Sequence, residues 1–118
     1  MAGALAFAAH AAGAAPAAGG IRIESAWITL PDGVRLSADL YRAEYAADDE
    51  RRPVLLEYLP YRKHESRSRN NPLYSYFVQR GYVVAAVDIR GTGNSEGRLI
   101  PHEYSEIEFQ DGEVVIDW

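Results

Sequence analysis

The sequence has 118 residues with 12 basic and 17 acidic side chains, so its formal net charge is −5. A chain of this length is at most one small domain, and it lacks the excess of basic residues that nucleic-acid binding needs. Because it contains no cysteine, disulfides, iron–sulfur clusters, thiolate zinc sites and a cysteine nucleophile are excluded. No stretch is apolar and long enough to span a bilayer. The composition is that of a globular protein.

Residues 1–20 differ from the rest, with 11 alanines, 4 glycines and no charged side chain. Small residues fit a signal-peptide cleavage site, but a signal peptide also has a positively charged n-region. We therefore favour a disordered Ala/Gly-rich tail on a cytoplasmic protein. The alternative is a clipped signal peptide that directs export. The domain proper is expected to span residues 21–118.

A β-hairpin is predicted at the start of this domain. Residues 21–24 alternate between apolar and polar, and 27–30 continue in strand-favouring residues. The sequence Pro-Asp-Gly at 31–33 is typical of a turn. Residues 34–41 alternate again, which predicts an antiparallel hairpin with one apolar face and one face in water.

The middle of the chain predicts a strand and a helix. After a charged connector at 43–52, the nearly continuous apolar run 53–59 is typical of a strand covered on both faces. Residues 61–70 are interpreted as a basic loop. A helix is predicted to begin at Pro72 and to end at Gly81. The candidates for its N-cap are Asn70 and Asn71.

Two further elements complete the pattern. Residues 82–89 predict a second buried strand, and residues 104–118 predict a final helix. The side chains expected to point inward from that helix are Ile107, Val114, Val115 and Trp118. A hairpin followed by strand, helix, strand and helix predicts an α/β fold with a mixed sheet.

The segment Gly93–Gly97 matches the G-x-S-x-G pattern of a nucleophile elbow. An elbow serine lies between a strand that enters directly and a helix that leaves directly. Here the predicted strand ends near Arg90, and Pro101 stands where the helix should begin. We therefore interpret Ser95 as a loop serine.

The same glycines allow a second hypothesis, a nucleotide-binding α/β module that uses the Gly91–Gly97 loop. The dinucleotide fingerprint is G-x-G-x-x-G opening a helix. In this sequence the third glycine is one place late, and Pro101 again disfavours the helix. A third hypothesis is a non-catalytic interaction fragment.

The remaining polar candidates carry weaker signals. His64 and His102 belong to no metal-binding array, so we expect solvated loop residues and no metal site. The basic side chains between 62 and 69 either attract anions or form a solvated surface, and the second is favoured. Asp88 ends a strand where α/β proteins bind ligands, but we expect it to bind Arg90 or to cap loop amides.

Four segments then form a recognisable series: WITLPDGVRLSADLYR (27–42), PVLLEYLPYRK (53–63), RGYVVAAVDIRGTGNSEG (80–97) and DGEVVIDW (111–118). Together they resemble the start of the X-Pro dipeptidyl-peptidase and cocaine-esterase (CocE/NonD) family of serine hydrolases. The resemblance implies the N-terminal portion of an α/β-hydrolase three-layer sandwich, in which an antiparallel hairpin leads into a parallel sheet flanked by helices. It also implies cleavage of ester or amide bonds without a cofactor, and it leaves open whether the substrate is a proline-containing peptide, a β-lactam-type acyl group or a simple ester.

By the same resemblance, Tyr61 is the side-chain donor of the oxyanion hole. The nucleophile serine, the Asp and the His of the triad are not in this chain, and the serine is expected about 15–25 residues beyond Trp118. The 118-residue chain alone is therefore predicted to be an inactive N-terminal fragment. Its strand 53–59 would then be an edge strand, so the fragment is expected to self-associate.

Overall fold

The computed structural model describes residues 20–47 and 49–118; the predictions for residues 1–19 lie outside the described residues. Its elements follow one another as β1 (Ile21–Thr29), β2 (Arg35–Ala43), β3 (Val54–Leu59), α1 (Lys63–Val78), β4 (Val83–Asp88) and α2 (Glu106–Asp117). The order of elements confirms the predicted hairpin followed by strand, helix, strand and helix.

The strands form one sheet in the order β1-β2-β4-β3. β1 and β2 are antiparallel, β2 and β4 are antiparallel, and β4 and β3 are parallel. The turn at 31–33 joins β1 to β2, with Leu30 N–H donating to Val34 O at 2.8 Å and Gly33 at a φ of 87°. The mixed sheet is therefore confirmed.

The helices lie on opposite faces of this sheet. On one face, Tyr74 and Val78 of α1 pack in a core with Tyr41 and Val84. On the other face, Val115 of α2 packs in a core that contains Leu36. The chain thus has the three layers expected of this α/β architecture.

The predicted water-facing side of β2 is wrong. Ser37, Asp39 and Tyr41 alternate on that side and are all buried. α1 covers Asp39, through Arg67, and Tyr41, whose ring centroid lies 4.7 Å from that of Tyr74, whereas Ser37 contacts Ser95 of the loop after β4. Alternation along β2 correctly separated the two faces, but the polar side chains on one face are held by a helix and a loop instead of by water.

The prediction that β3 is covered on both faces is also wrong within the described residues. The position of β3 at an edge of the sheet was predicted for this chain alone, and β3 pairs only with β4 among the described strands. Its side chains Val54, Leu56 and Leu59 are 56%, 40% and 39% exposed. An apolar run predicts a strand, but the run does not say which neighbours cover it.

α1 begins at Lys63, nine residues before the predicted start at Pro72, which lies inside the helix. A proline removes one helical hydrogen bond, and the Pro72 ring is on the exposed side of α1. The basic segment is helical, and its Lys63 and Arg67 side chains both pair with the buried carboxylate of Asp39. The predicted end is confirmed: Gly81 has a φ of 96°, and Tyr82 N–H donates to Phe77 O at 3.2 Å, as in a glycine-terminated helix.

α2 spans the predicted final helix but presents a different face to the sheet. Val115 is buried and Val114 packs against the same core, whereas Ile107 and Trp118 are exposed, contrary to prediction. Asp111 is buried instead, because Arg90 binds both of its carboxylate oxygens, at 2.8 and 2.9 Å. Within the described part of the chain, neither helix is long and apolar enough to cross a membrane.

Candidate functional site

Tyr61 lies in the short turn between β3 and α1, at the carboxyl end of the parallel strand pair. Its side chain is 64% exposed and lines a cleft with Glu65, Ser66 and Arg69. The next residue, Arg62, has a φ of 61°, in the left-handed region that non-glycine residues rarely adopt. Ser66 Oγ donates to Tyr61 O at 3.3 Å. The phenol therefore reaches the solvent on a turn with a defined backbone.

Asp88 ends β4 beside this turn and is 1% exposed. One carboxylate oxygen accepts Lys63 N–H at 2.7 Å, and the other accepts Asn94 N–H at 3.0 Å. A Cβ at Gly93 would lie 2.2 Å from Asp88 Oδ2, so only glycine leaves room for the carboxylate there. The prediction that Asp88 caps loop amides is confirmed.

Arg90, the other partner considered for Asp88, binds elsewhere. It forms the bidentate pair with Asp111 and a further ion pair with Asp32 in the β1–β2 turn. These bonds raise the pKa of Arg90, the pair with Asp111 most, and the bond from Arg90 lowers the pKa of Asp32. Arg90 thus ties the end of β4 to α2 and to the hairpin.

A buried ionic cluster lies next to Asp88. Lys63 Nζ lies 3.4 Å from Asp39 Oδ2 and 4.0 Å from Asp88 Oδ2, and Arg67 Nη2 donates to Asp39 Oδ2 at 2.9 Å. The favoured prediction of a solvated basic surface is therefore wrong for Lys63, whose side chain is 3% exposed. Sequence reasoning missed this cluster. The one available sequence signal was a charged residue, Asp39, within a predicted strand, and the structure buries it.

Glu57 on β3 lies on the α1 side of the sheet, before the Tyr61 turn. Partial burial raises the pKa of Glu57, and the nearby Arg69 charge opposes that shift. Asn70 Nδ2 of α1 donates to Glu57 Oε1 at 3.1 Å. This carboxyl group is thus more easily protonated than a solvated one.

Ser95 lies in the loop between β4 and α2, as predicted. Its Oγ donates to Asp88 O at 2.6 Å and accepts Ser37 N–H at 2.8 Å. β4 ends seven residues before Ser95 and α2 begins at Glu106, so the strand–turn–helix context of an elbow is not formed here. The hydroxyl joins the loop to β2.

The Gly91–Gly97 loop does not present a phosphate cradle. Its amides turn inward: Gly91 N–H donates to Glu96 O and Ser95 N–H to Thr92 O, each at 2.9 Å. The next helix begins at Glu106 and has two glutamates in its first turn, where they oppose an anion. The geometry gives the nucleotide-binding hypothesis no support.

His64 and His102 are the two histidines within the residues that the structure describes. His64 lies on α1, not in a loop as predicted, with its Nε2 3.5 Å from Asp39 Oδ2 and its side chain 52% exposed. His102 is exposed. Across residues 20–47 and 49–118, no group of three or more His, Cys, Asp or Glu side chains could hold a metal ion.

Comparisons with known proteins agree with this architecture. Residues 32–118 match the profile of the family described as X-Pro dipeptidyl-peptidase (S15 family). The cocaine esterase of Rhodococcus sp. (strain MB1 Bresler) is 38% identical over 86 residues, which are 71% of this chain and 14% of that enzyme. The chain spans less than a fifth of the length of the curated relatives it matches.

Solved structures share the fold. An aminopeptidase from the marine sediment archaeon Thaumarchaeota archaeon superposes with a TM-score of 0.67 at 20% identity, over 83% of this chain and 18% of that one. An alpha-amino acid ester hydrolase superposes with a TM-score of 0.64 at 24% identity, over 87% and 19%. The described residues form the N-terminal portion of an α/β-hydrolase fold. With the match over 32–118, this chain belongs to the X-Pro dipeptidyl-peptidase (S15) family of hydrolases.

Proposed function

We propose that residues 21–118 are the N-terminal part of a serine hydrolase domain that cleaves ester or amide bonds, X-Pro peptide bonds among them, and that Tyr61 donates to the oxyanion. The observation that carries the proposal is the position of Tyr61. Its exposed phenol stands at the carboxyl end of β3, the edge where open α/β sheets bind their ligands. Family membership supports the hydrolase chemistry.

In the proposed reaction, a serine oxygen bonds to the substrate carbonyl carbon while its proton passes to a histidine, which an aspartate orients. The carbonyl π electrons move onto the oxygen, and the Tyr61 hydroxyl donates a hydrogen bond to it. When these electrons return, the leaving group departs with the proton from histidine. Water then releases the acyl group by the same steps. The serine, histidine and aspartate are proposed to lie outside residues 21–118, and no step uses a cofactor.

The role of Tyr61 is tested in a hydrolase whose chain contains residues 21–118 together with the serine, histidine and aspartate of the triad. Tyr61→Phe is expected to lower kcat about 10²- to 10³-fold with KM unchanged, because one oxyanion donor is lost. Tyr76→Phe is the matched control, because Tyr76 is also an exposed tyrosine but lies on the surface of α1 instead of in the turn after β3. An unchanged kcat in Tyr61→Phe would remove this residue from the mechanism.

The chain alone offers a second test. The purified 118-residue protein is expected to show no turnover of activated esters, because Ser95 is engaged with Asp88 O and Ser37 N–H. Ester hydrolysis that disappears in Ser95→Ala would contradict the assignment of the nucleophile to another part of the enzyme.

A further inference from the structure

The direction of the Tyr61 side chain depends on its backbone. Within the described part of the chain, no hydrogen bond to the Tyr61 hydroxyl is formed, and the ring is mostly exposed. A donor that finds its target only in the transition state must be held in place beforehand to be effective. The contacts that hold the turn between β3 and α1 therefore also set the position of the Tyr61 hydroxyl.

This turn contains an uncommon backbone conformation. Arg62, directly after Tyr61, lies in the left-handed region with a φ of 61°, and its exposed side chain pairs with Glu65 at the surface. Such conformations persist when the surrounding structure holds them. Ser66 Oγ donates to Tyr61 O at 3.3 Å and Glu65 N–H to Arg62 O at 3.1 Å, but the shortest contact of the turn is that of Lys63 N–H, which donates to Asp88 Oδ1 at 2.7 Å.

Asp88 is well suited to hold this amide. It is almost fully buried at the end of β4, which is hydrogen-bonded to a strand on each side. Its second oxygen holds Asn94 N–H at 3.0 Å, and Lys63 Nζ lies 4.0 Å away. One carboxylate thus anchors both loops that follow the parallel strands.

We propose that Asp88 is a positioning residue for Tyr61: by holding Lys63 N–H it fixes the turn that aims the phenol at the oxyanion. The inference rests on the proposed function of Tyr61. Asp88 itself does not reach the substrate, because the turn and the Gly91–Gly97 loop cover it. Asp88→Asn keeps the shape of the side chain but has one acceptor oxygen where Asp88 has two, so it cannot hold both Lys63 N–H and Asn94 N–H, and it no longer places a negative charge beside Lys63.

A double-mutant cycle separates positioning from general stability. In the enzyme that unites these residues with the triad, Asp88→Asn is expected to lower kcat on the order of 10- to 100-fold with KM unchanged, because small displacements of a positioned group have effects of that size. In a Tyr61→Phe background, Asp88→Asn is expected to cause little further loss, since the group it positions is already gone.

Asp111→Asn is the matched control. Asp111 is also a buried carboxylate and pairs with Arg90, but it lies on α2, on the opposite face of the sheet from α1. Its effect on kcat is expected to be the same with and without the Tyr61 hydroxyl. If Asp88→Asn fails to fold, Gly93→Ala replaces it in the cycle, because its Cβ displaces the Asp88 carboxylate without removing the charge.

The outcomes distinguish this inference from the proposed function. A kcat loss in Asp88→Asn that persists undiminished in the Tyr61→Phe background would show a structural role only and overturn the inference. No loss in Asp88→Asn, with a loss in Tyr61→Phe, would overturn the inference and leave the proposed function standing. No loss in Tyr61→Phe would overturn the proposed function and the inference with it.

Discussion

β3 and β4 are neighbouring parallel strands of six residues each, yet the structure surrounds them differently. All six residues of β4 are buried, between β2 and β3 and between the two helices. β3 has β4 on one side and, within the described residues, no strand on the other, so Val54 and Leu56 are exposed. Two similar apolar runs thus give one interior strand and one edge strand.

The two regions also differ in how they hold charged side chains. Asp39 and Asp88 are almost completely buried around β2 and β4, where ion pairs and backbone amides satisfy them. Burial of a carboxylate is tolerated only with such partners. The interior region is therefore specified by directed polar contacts as well as by apolar packing, whereas β3 offers apolar side chains without a described partner on its outer edge.

The largest difference between the two regions is expected in stability. Leu36→Ala on β2 removes a fully buried side chain and is expected to lower the free energy of unfolding by about 2–5 kcal/mol. Leu56→Ala on β3 truncates the same side chain at a position 40% exposed and is expected to lower it much less. Urea denaturation measures both. Equal losses would show that the β3 edge is covered in solution.

How far the sequence predicts this structure depends on the range of the contacts. Gly33 and Gly81 mark their turn and helix end through local conformational preference, and both predictions are confirmed. The early start of α1 was missed because Lys63 is held by Asp88, 25 positions away in the sequence. Local patterns do not report such a contact.

The candidate site shows the same limit. Nothing in the composition or periodicity distinguishes Tyr61 from the other tyrosines, and only the family resemblance singled it out. Asp88 was recognised as a strand-end carboxylate. Its two amide partners come from segments before and after β4, so their meeting depends on the parallel pairing of β3 and β4.

The second expected effect is on association. We propose that the isolated chain self-associates through β3, because an uncovered apolar edge strand pairs readily with another chain. Leu56→Lys is expected to shift the protein towards monomer at micromolar concentration in size-exclusion chromatography. Thr29→Lys, an exposed site on β1 at the opposite edge, is the matched control. A wild-type monomer, or an equal effect of both lysines, would contradict association through β3.

The smallest expected effect concerns the pH dependence of stability at Glu57. Partial burial raises the pKa of Glu57 in the folded protein above the unfolded value, so the folded state favours the protonated carboxyl. The resulting stabilisation is present below the unfolded pKa and is lost as the pH rises through the folded pKa. Glu57→Gln stays neutral at every pH.

The variant is therefore expected to gain stability relative to wild type as the pH rises through this window, which begins near 4.5, the ordinary pKa of a glutamate side chain. Urea denaturation of both proteins from acidic to neutral pH measures the difference. Asp32→Asn is expected to change stability in the opposite direction. Because the bond from Arg90 lowers the pKa of Asp32, the charged carboxylate stabilises the folded state, and this variant should lose stability relative to wild type at neutral pH. If Glu57→Gln instead lost stability at neutral pH, the charged carboxylate would be favoured on β3, and this strand would resemble the ion-paired interior around β4.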